Sequence, residues 1–205
     1  GAWGSLTETM AGRINLVSGQ VEIPQLNLDI KLANSIRKIF ITACGTAAHA
    51  GMVGKLLIEK LAGIPVECEI ASEFRYRDPI IEQGSVVIAI SQSGETADTL
   101  AAMEVARQKG AVLWSIVNAI GSQAMRHADG YISMQVGPEI GVASTKAFTA
   151  PLMDLYMLAI QLGQLRGTLA PAERKQRVSD MRLIPDLVSR CLSRESEIER
   201  IALKY

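Results

Sequence analysis

Short apolar runs alternate with longer segments of helical spacing, and this alternation constrains the fold more than any other feature of the chain. Five segments are predicted as strands: the apolar runs 39–43, 86–90 and 112–117, together with residues 66–70 and the weaker segment 131–134. Helices are predicted between several of them, at residues 46–61, 96–109 and 122–127. Because strands alternating with helices form right-handed βαβ units, we expect an α/β fold, a three-layer α/β/α sandwich with a parallel, flavodoxin-like five-stranded sheet.

The segments outside this alternation divide the chain into three parts. Residues 1–26 mix apolar and polar side chains around several glycines, and we interpret them as a lead-in segment to a main domain at residues 27–168. A long helix is predicted at residues 144–165, and its residues 152–162 are apolar almost all round, which indicates a deeply buried helix or half of a subunit interface. Residues 169–205 are charged and amphipathic, and two helices separated near Pro185 are predicted there.

The composition argues against several classes of protein. The 21 basic and 21 acidic residues give zero net charge, and 4% of the residues are aromatic, so we expect no nucleic-acid partner. Three widely spaced cysteines and two distant histidines provide neither a disulfide framework nor a metal site, which suits a reducing compartment. Without a membrane-length apolar run or a signal-peptide pattern, a cytoplasmic chain with no membrane partner and no cofactor is expected. Since the chain opens at Gly1 rather than at methionine, we expect a fragment of a longer protein.

Three loops rich in glycine and hydroxyl groups follow predicted strands, at residues 44–51, 91–99 and 137–146. In a doubly wound sheet, loops at the carboxyl ends of strands form the ligand site. The second loop, SQSGETADT, lies between a strand and a helix start, where hydroxyls, free amides and the helix dipole favour a phosphate. A serine-rich turn that only caps the following helix is the structural alternative.

Four segments in this order carry a family resemblance: CGTAAHAG at 44–51, ASEFRYR at 71–77, SQSGETADT at 91–99 and GPEIGVASTKAFT at 137–149. Together they resemble the first sugar-isomerase (SIS) subdomain of the glutamine:fructose-6-phosphate amidotransferase family, the glucosamine-6-phosphate synthases. The resemblance covers most of the chain, from about residue 9 to residue 165. It implies that residues 27–168 are a SIS sugar-phosphate-binding domain, and that residues 169–205 lead to a second SIS half absent from this chain.

The resemblance also implies the residues of a substrate site. The phosphate-holding positions of the family match Ser91, Gln92, Ser93 and Thr96; the loop that closes over the ligand matches Thr46 and Ala47; the sugar-contacting stretch matches Val142, Ala143 and Ser144. Ala47 departs from the serine that the family often carries there, so a backbone contact is retained and a hydroxyl contact is lost. The family's catalytic glutamate, histidine and lysine have no match, and we expect no catalytic residue in this chain.

The function that the resemblance implies is the sugar-phosphate-binding half of an isomerase domain. In the full enzyme, glutamine and fructose 6-phosphate would give glucosamine 6-phosphate and glutamate, while this fragment alone would be inactive. Association through the SIS helices would make the chain a homodimer. Two alternatives are a SIS-type sugar-phosphate sensor and a deaminase-type SIS isomerase. The absence of a DNA-binding helix-turn-helix argues against the first, and GPEIGVASTKAFT argues against the second.

Four residues near the predicted site have structural interpretations. Cys44 is expected to be a small buried thiol, and His49 a packed or capping side chain, rather than reactive groups. Lys146 opposes the dipole of the helix it begins, which indicates a partner such as Glu139 or a ligand anion. The Glu95 carboxylate is expected to turn from the phosphate loop toward a basic neighbour, either Arg75 or Arg77.

Overall fold

Strands and helices alternate along the chain in the computed structural model, which describes residues 2–139 and 144–204. The strands are β1 (Ile14–Asn15), β2 (Gln20–Val21), β3 (Lys38–Ala43), β4 (Val66–Ile70), β5 (Ser85–Ser91), β6 (Val112–Val117) and β7 (Gly130–Ser133). The helices are α1 (Ala2–Met10), α2 (Ile30–Ser35), α3 (Thr46–Ala62), α4 (Ala71–Tyr76), α5 (Ala97–Gln108), α6 (Gln123–His127), α7 (Lys146–Arg166), α8 (Pro171–Leu192) and α9 (Glu195–Ala202).

The central sheet has the order β4-β3-β5-β6-β7, and each pair of neighbouring strands is parallel. Residue Ile41 of β3 lies between Cys68 of β4 and Ile88 of β5, which fixes the register at the middle of the sheet. Because β4 and β5 lie on opposite sides of β3, the strand order reverses there. The predicted flavodoxin-like parallel sheet is therefore confirmed, and its switch point lies between β3 and β5.

Alternate side chains of the strands pack into two separate apolar layers, as the pleat of a strand requires. Ile41 and Ile88 face one layer, which also contains buried residues of α1, α3 and α7. Phe40 and Val87 face the other layer, beneath α4, α5 and α6. Burial on both faces explains why the three inner strands, β3, β5 and β6, are largely apolar, and the two layers give the three-layer α/β/α sandwich that the sequence predicts.

Helices α3 and α7 pack closely on the same face of the sheet. Gly54 of α3 permits this approach, because a Cβ atom there would lie 2.5 Å from a methyl carbon of Leu155 in α7. Leu155 and the neighbouring apolar residues of α7 are buried, so this helix crosses the core of the protein. The prediction of a deeply buried helix is correct for the α7 residues that the structure describes.

The first 26 residues contain elements that the sequence did not predict. The antiparallel pair of β1 and β2 follows α1, and α1 packs against α7 and α8. Leu6 and Met10 of α1 are buried in the same layer as α3 and α7. The lead-in segment thus contributes to the core of the protein.

The C-terminal helices differ from the prediction of a break near Pro185. Helix α8 continues through Pro185, and the chain turns instead at Ser193 and Arg194. Val178, Met181 and Pro185 are buried at helical spacing on one face of α8. Packing of this face offsets the loss of one backbone hydrogen bond at proline. In the described part of the chain, no helix is both long and apolar enough to cross a membrane.

Candidate functional site

A pocket of about 160 Å³ lies at the switch point, where the carboxyl ends of β3 and β5 meet the amino ends of α3, α5 and α7. Its lining residues are Cys44, Thr46, Ala47, Ile90, Ser91, Gln92, Ser93, Thr96, Ser144 and Ala147. The lining contains five hydroxyl side chains and one amide, and no charged side chain among the described residues. This is the edge at which open parallel sheets bind ligands.

The structure brings together the predicted site residues that it describes. Thr46, Ala47, Ser91, Gln92, Ser93, Thr96 and Ser144 all line this pocket. Val142 and Ala143 lie outside the described residues. The pocket adds Cys44, Ile90 and Ala147, which lie one residue from the end of β3, the end of β5 and the start of α7 and could have been found from the predicted boundaries.

The SQSGET loop is folded around its own hydroxyl groups. The Ser91 Oγ accepts a hydrogen bond from the Gly94 amide at 3.0 Å and lies 3.0 Å from the Thr96 Oγ1. The Ser93 Oγ accepts a hydrogen bond from the Glu95 amide at 3.2 Å. These contacts curve the backbone between β5 and α5, and they hold three hydroxyl groups at the lip of the pocket.

A glycine is required at position 94 because the SQSGET loop packs closely against the segment before α6. The φ angle of Gly94 is +64°, a conformation that other residues adopt at a cost, and its carbonyl accepts a hydrogen bond from the Ala124 amide at 3.0 Å. A Cβ atom at Gly94 would overlap both the Cβ and the Oγ of Ser122. The loop therefore lies directly on the segment before α6, and a glycine allows that contact.

The amino ends of α3 and α5 are both available to an anion. Gly45 at the start of α3 has no side chain to cap that helix, and Thr96 makes no capping hydrogen bond to α5. In the described ranges, the first-turn amides of both helices therefore lack a side-chain acceptor. Free amides and the positive ends of two helix dipoles favour negative charge at the pocket without a basic side chain.

The comparisons with known proteins agree with this geometry. The family model described as SIS domain matches residues 31–161, well over half of the chain. The chain belongs to the SIS domain family. A glutamine–fructose-6-phosphate aminotransferase [isomerizing] of Symbiobacterium thermophilum is 45% identical over 97% of this chain and 32% of its own length. The enzyme of the same name from Bacteroides thetaiotaomicron is 47% identical over 97% of this chain and 32% of its length.

A solved structure extends the likeness of this SIS domain to its whole fold. The C-terminal domain of glucosamine-fructose-6-phosphate aminotransferase from Francisella tularensis superposes with a TM-score of 0.91 at 34% identity. The match covers 98% of this chain and 56% of that one. This chain spans about a third of the length of the curated relatives it matches.

Three helices begin at the pocket of this SIS domain. Among the described residues, only the first amides of α7 donate to a carboxylate. Glu139 accepts hydrogen bonds from the amides of Thr145, Lys146 and Ala147 at 2.8–2.9 Å, and from the Thr145 hydroxyl at 2.8 Å. Partial burial acts to raise the pKa of Glu139, but these hydrogen bonds outweigh it and lower the pKa to about 2.

The sequence indicated Glu139 as a possible partner of Lys146, but the Lys146 side chain does not pair with the Glu139 carboxylate. Its Nζ donates instead to the Pro138 carbonyl at 2.9 Å, while its backbone amide binds Glu139. The carboxylate is engaged by the backbone of the first helical turn, because amides there have no intrahelical acceptor. The ammonium group turns back along the preceding loop.

The Glu95 side chain does not line the pocket, but the prediction of a basic partner for it is wrong. Its carboxylate accepts hydrogen bonds from the amide and the side chain of Gln123, at 2.8 and 2.6 Å, and so joins the loop to α6. Arg75 pairs with Asp98 at 2.8 Å, and Arg77 pairs with acidic residues of β4. Both arginines are therefore already neutralised by nearer carboxylates.

Cys44 and His49 are less enclosed than the sequence indicated. Cys44 is half-buried and lines the pocket, with its Sγ 3.9 Å from the Thr99 Oγ1. His49 is exposed on the outer side of α3, so neither packing nor capping describes it. Across the described residues, no group of three or more His, Cys, Asp or Glu side chains is placed to hold a metal ion.

Proposed function

We propose that this chain is the sugar-phosphate-binding half of the isomerase domain of a glutamine–fructose-6-phosphate aminotransferase. Fructose 6-phosphate and glucosamine 6-phosphate are the ligands that this role requires. The single observation that carries the proposal is the convergence of Thr46, Ser93, Thr96 and Ser144 on one pocket at the switch point. The curated relatives bear the name of this enzyme over almost the full length of the chain.

The phosphate group binds against the SQSGET loop. Ser91, Ser93 and Thr96 supply hydroxyls there, and α5 supplies uncapped amides. Gln92 adds a side-chain amide beside them, while its backbone carbonyl accepts hydrogen bonds from the backbone amides of Asn118 and Ala119. Dispersed neutral donors of this kind suit a phosphate that must also be released, because hydrogen bonds to an anion are strong yet reversible.

The sugar extends from the phosphate toward α3 and α7. Thr46 and Ala47 contact it from α3, and the stretch of Val142, Ala143 and Ser144 contacts it from the loop before α7. The positions of Thr46, Ala47 and Ser144 in the pocket lining support this arrangement. A hexose phosphate bound here would lie between three helix starts, with its charged group at one end.

The partner of this chain is a small sugar phosphate in the cytoplasm, with no nucleic acid and no membrane. A second copy of the chain binds through the SIS helices and gives a homodimer. The exposed apolar side chains of Met52, Val53 and Leu56 on the outer face of α3 support an interface on that face. Light scattering on the purified chain measures its mass, and a monomer at micromolar concentrations contradicts the dimer.

Titration calorimetry with fructose 6-phosphate, fructose and inorganic phosphate tests the proposed ligand. Fructose 6-phosphate is expected to bind, and fructose is expected to bind far more weakly, because it lacks the group that the SQSGET loop holds. Equal affinities for fructose 6-phosphate and fructose would contradict the phosphate site. A Gln92→Ala variant removes one amide side chain from the lining and should weaken the binding of fructose 6-phosphate. Gln176→Ala, on the exposed face of α8, is the matched control and should leave that binding unchanged.

A further inference from the structure

Glu139 fixes one wall of the pocket through the first turn of α7. Its two carboxylate oxygens accept hydrogen bonds from the amides of Thr145, Lys146 and Ala147, and Ala147 itself lines the pocket beside Ser144. The Thr145 hydroxyl makes a fourth hydrogen bond to the same carboxylate. A single side chain thus determines where the backbone of this wall lies.

The pocket is bordered by three helix starts that are not electrostatically equal. Helices α3, α5 and α7 have 17, 12 and 21 residues, so each is long enough to direct a positive dipole end at the pocket. Gly45 and Thr96 leave the first two without a side-chain cap. At the start of α7, the negatively charged Glu139 carboxylate already accepts hydrogen bonds from the amides that could otherwise bind a phosphate.

We propose that Glu139 is a positioning and specificity-determining residue that makes sugar phosphates bind in one orientation. It holds Ser144 and Ala147 in place to contact the sugar, and it excludes the phosphate from the amino end of α7. Of the two uncapped amino ends that remain, at α3 and α5, only α5 is preceded by the hydroxyl groups of the SQSGET loop, so the phosphate binds there. This inference rests on the proposed function, since it concerns how the same pocket distinguishes the two ends of its ligand.

A Glu139→Gln variant tests the inference by two titrations, one with fructose 6-phosphate and one with inorganic phosphate. Glutamine has nearly the same shape, but it removes the charge and replaces one acceptor oxygen with a donor. Fructose 6-phosphate is expected to bind about tenfold more weakly, a ratio within the range for hydrogen bonds lost from a site. Inorganic phosphate is expected to bind as well as before or better, because the amino end of α7 becomes available.

An Asp29→Asn variant provides the matched control. Asp29 also caps a helix with its carboxylate, accepting a hydrogen bond from the Leu32 amide at 2.7 Å, but it lies before α2 and outside the pocket lining. Its substitution is expected to lower the melting temperature and to leave both affinities unchanged. A general loss of stability is thereby separated from a change in selectivity.

Two results in the variant would overturn the role of Glu139 while leaving the proposed function intact. One is an unchanged affinity for fructose 6-phosphate, and the other is an equal weakening of both ligands. If the unmodified chain does not bind fructose 6-phosphate, both the proposed function and this inference fail.

Amide chemical shifts of the unmodified chain test the inference independently of whether the variant folds. Inorganic phosphate should shift the amides of residues 93–97 and leave those of Thr145, Lys146 and Ala147 in place. Comparable shifts at both helix starts would show that phosphate has access to α7, and would overturn the inference.

Discussion

Arg13 and Asp154, separated by 141 residues in the chain, form an ion pair in the core with an Nη1–Oδ1 distance of 3.0 Å. The same guanidinium donates to the carbonyls of Thr9 and Ser133, at the end of α1 and the end of β7. Complete burial raises the pKa of Asp154, and the charge of Arg13 opposes this shift. The pair therefore ties the first helix and the edge of the sheet to α7.

Removing one partner of this pair should destabilise the protein strongly. Arg13→Met leaves the Asp154 carboxylate buried without its cation, and the free energy of unfolding is expected to fall by about 3–5 kcal/mol. The double variant Arg13→Met/Asp154→Leu replaces both groups with apolar side chains and should recover most of the loss. Urea unfolding of the two variants measures this, and a double variant less stable than the single one contradicts the interpretation.

The contact between Gly94 and Ser122 predicts a position-specific effect of an added methyl group. Gly94→Ala must adopt a positive φ and also displace Ser122, so both stability and fructose 6-phosphate binding should decrease. Gly110→Ala has a comparable φ of +82° with no atom within 4 Å of the new Cβ, and should lose only about 1 kcal/mol of stability. Thermal unfolding with calorimetry compares the two, and equal effects would show that the contact is unimportant.

Ser93 should contribute to phosphate binding through its hydroxyl. Ser93→Ala removes this hydroxyl from the pocket lining and also removes the hydrogen bond that it accepts from the Glu95 amide. Binding of fructose 6-phosphate is expected to weaken by about 1–2 kcal/mol. Ser179→Ala, on the exposed face of α8, is the control and should not change the affinity. If both variants bind like the unmodified chain, the hydroxyl does not contact the ligand.

The Glu139 cap should make stability depend on pH in acid. Its pKa is about 2 in the folded protein, below the usual value of 4.5, so the stabilisation is complete above pH 4.5 and is lost as pH falls toward 2. Urea unfolding across this window should show a smaller loss of stability for Glu139→Gln than for the unmodified chain. Parallel curves for the two proteins would contradict the assignment.

The chain by itself should not interconvert fructose 6-phosphate and glucose 6-phosphate. A 1,2 proton shift needs a base within hydrogen-bond reach of the substrate carbon, and no described lining residue carries a carboxylate, imidazole or amine. An isomerase assay at high protein concentration checks this. Activity that is abolished by Cys44→Ala or His49→Ala would place a catalytic group in this chain.

The strands were predictable because burial on both faces leaves a strong signal. Two predicted strands, residues 66–70 and 112–117, have the observed bounds of β4 and β6, and the others are displaced by one residue at one or both ends. The rule that parallel crossovers are right-handed then favoured the three-layer sandwich. The loops at the carboxyl edge then indicated where a ligand site lies, and the family resemblance indicated which residues form it.

Contacts between segments distant in the chain were not predictable from spacing. Arg75 and Arg77 were the expected partners of Glu95, but its actual partner is Gln123, which only the packing of two loops brings near. Pro185 signals a helix end locally, whereas its burial against the core keeps α8 continuous. Helix α1 and its Arg13 lie in a segment of mixed composition, and their role depends on a carboxylate far along the chain.

The strand order of the sheet also has a consequence for how the pocket forms during folding. Thr46 and Ala147 line the same pocket, but four parallel strands follow Thr46 in the chain before Ala147 is reached. Parallel pairings require the closure of long loops before any contact is gained, so such topologies fold slowly. The complete pocket therefore forms on a nascent chain only after α7 has been synthesised and docked, and a ligand that contacts both Thr46 and Ala147 would report completion of the fold.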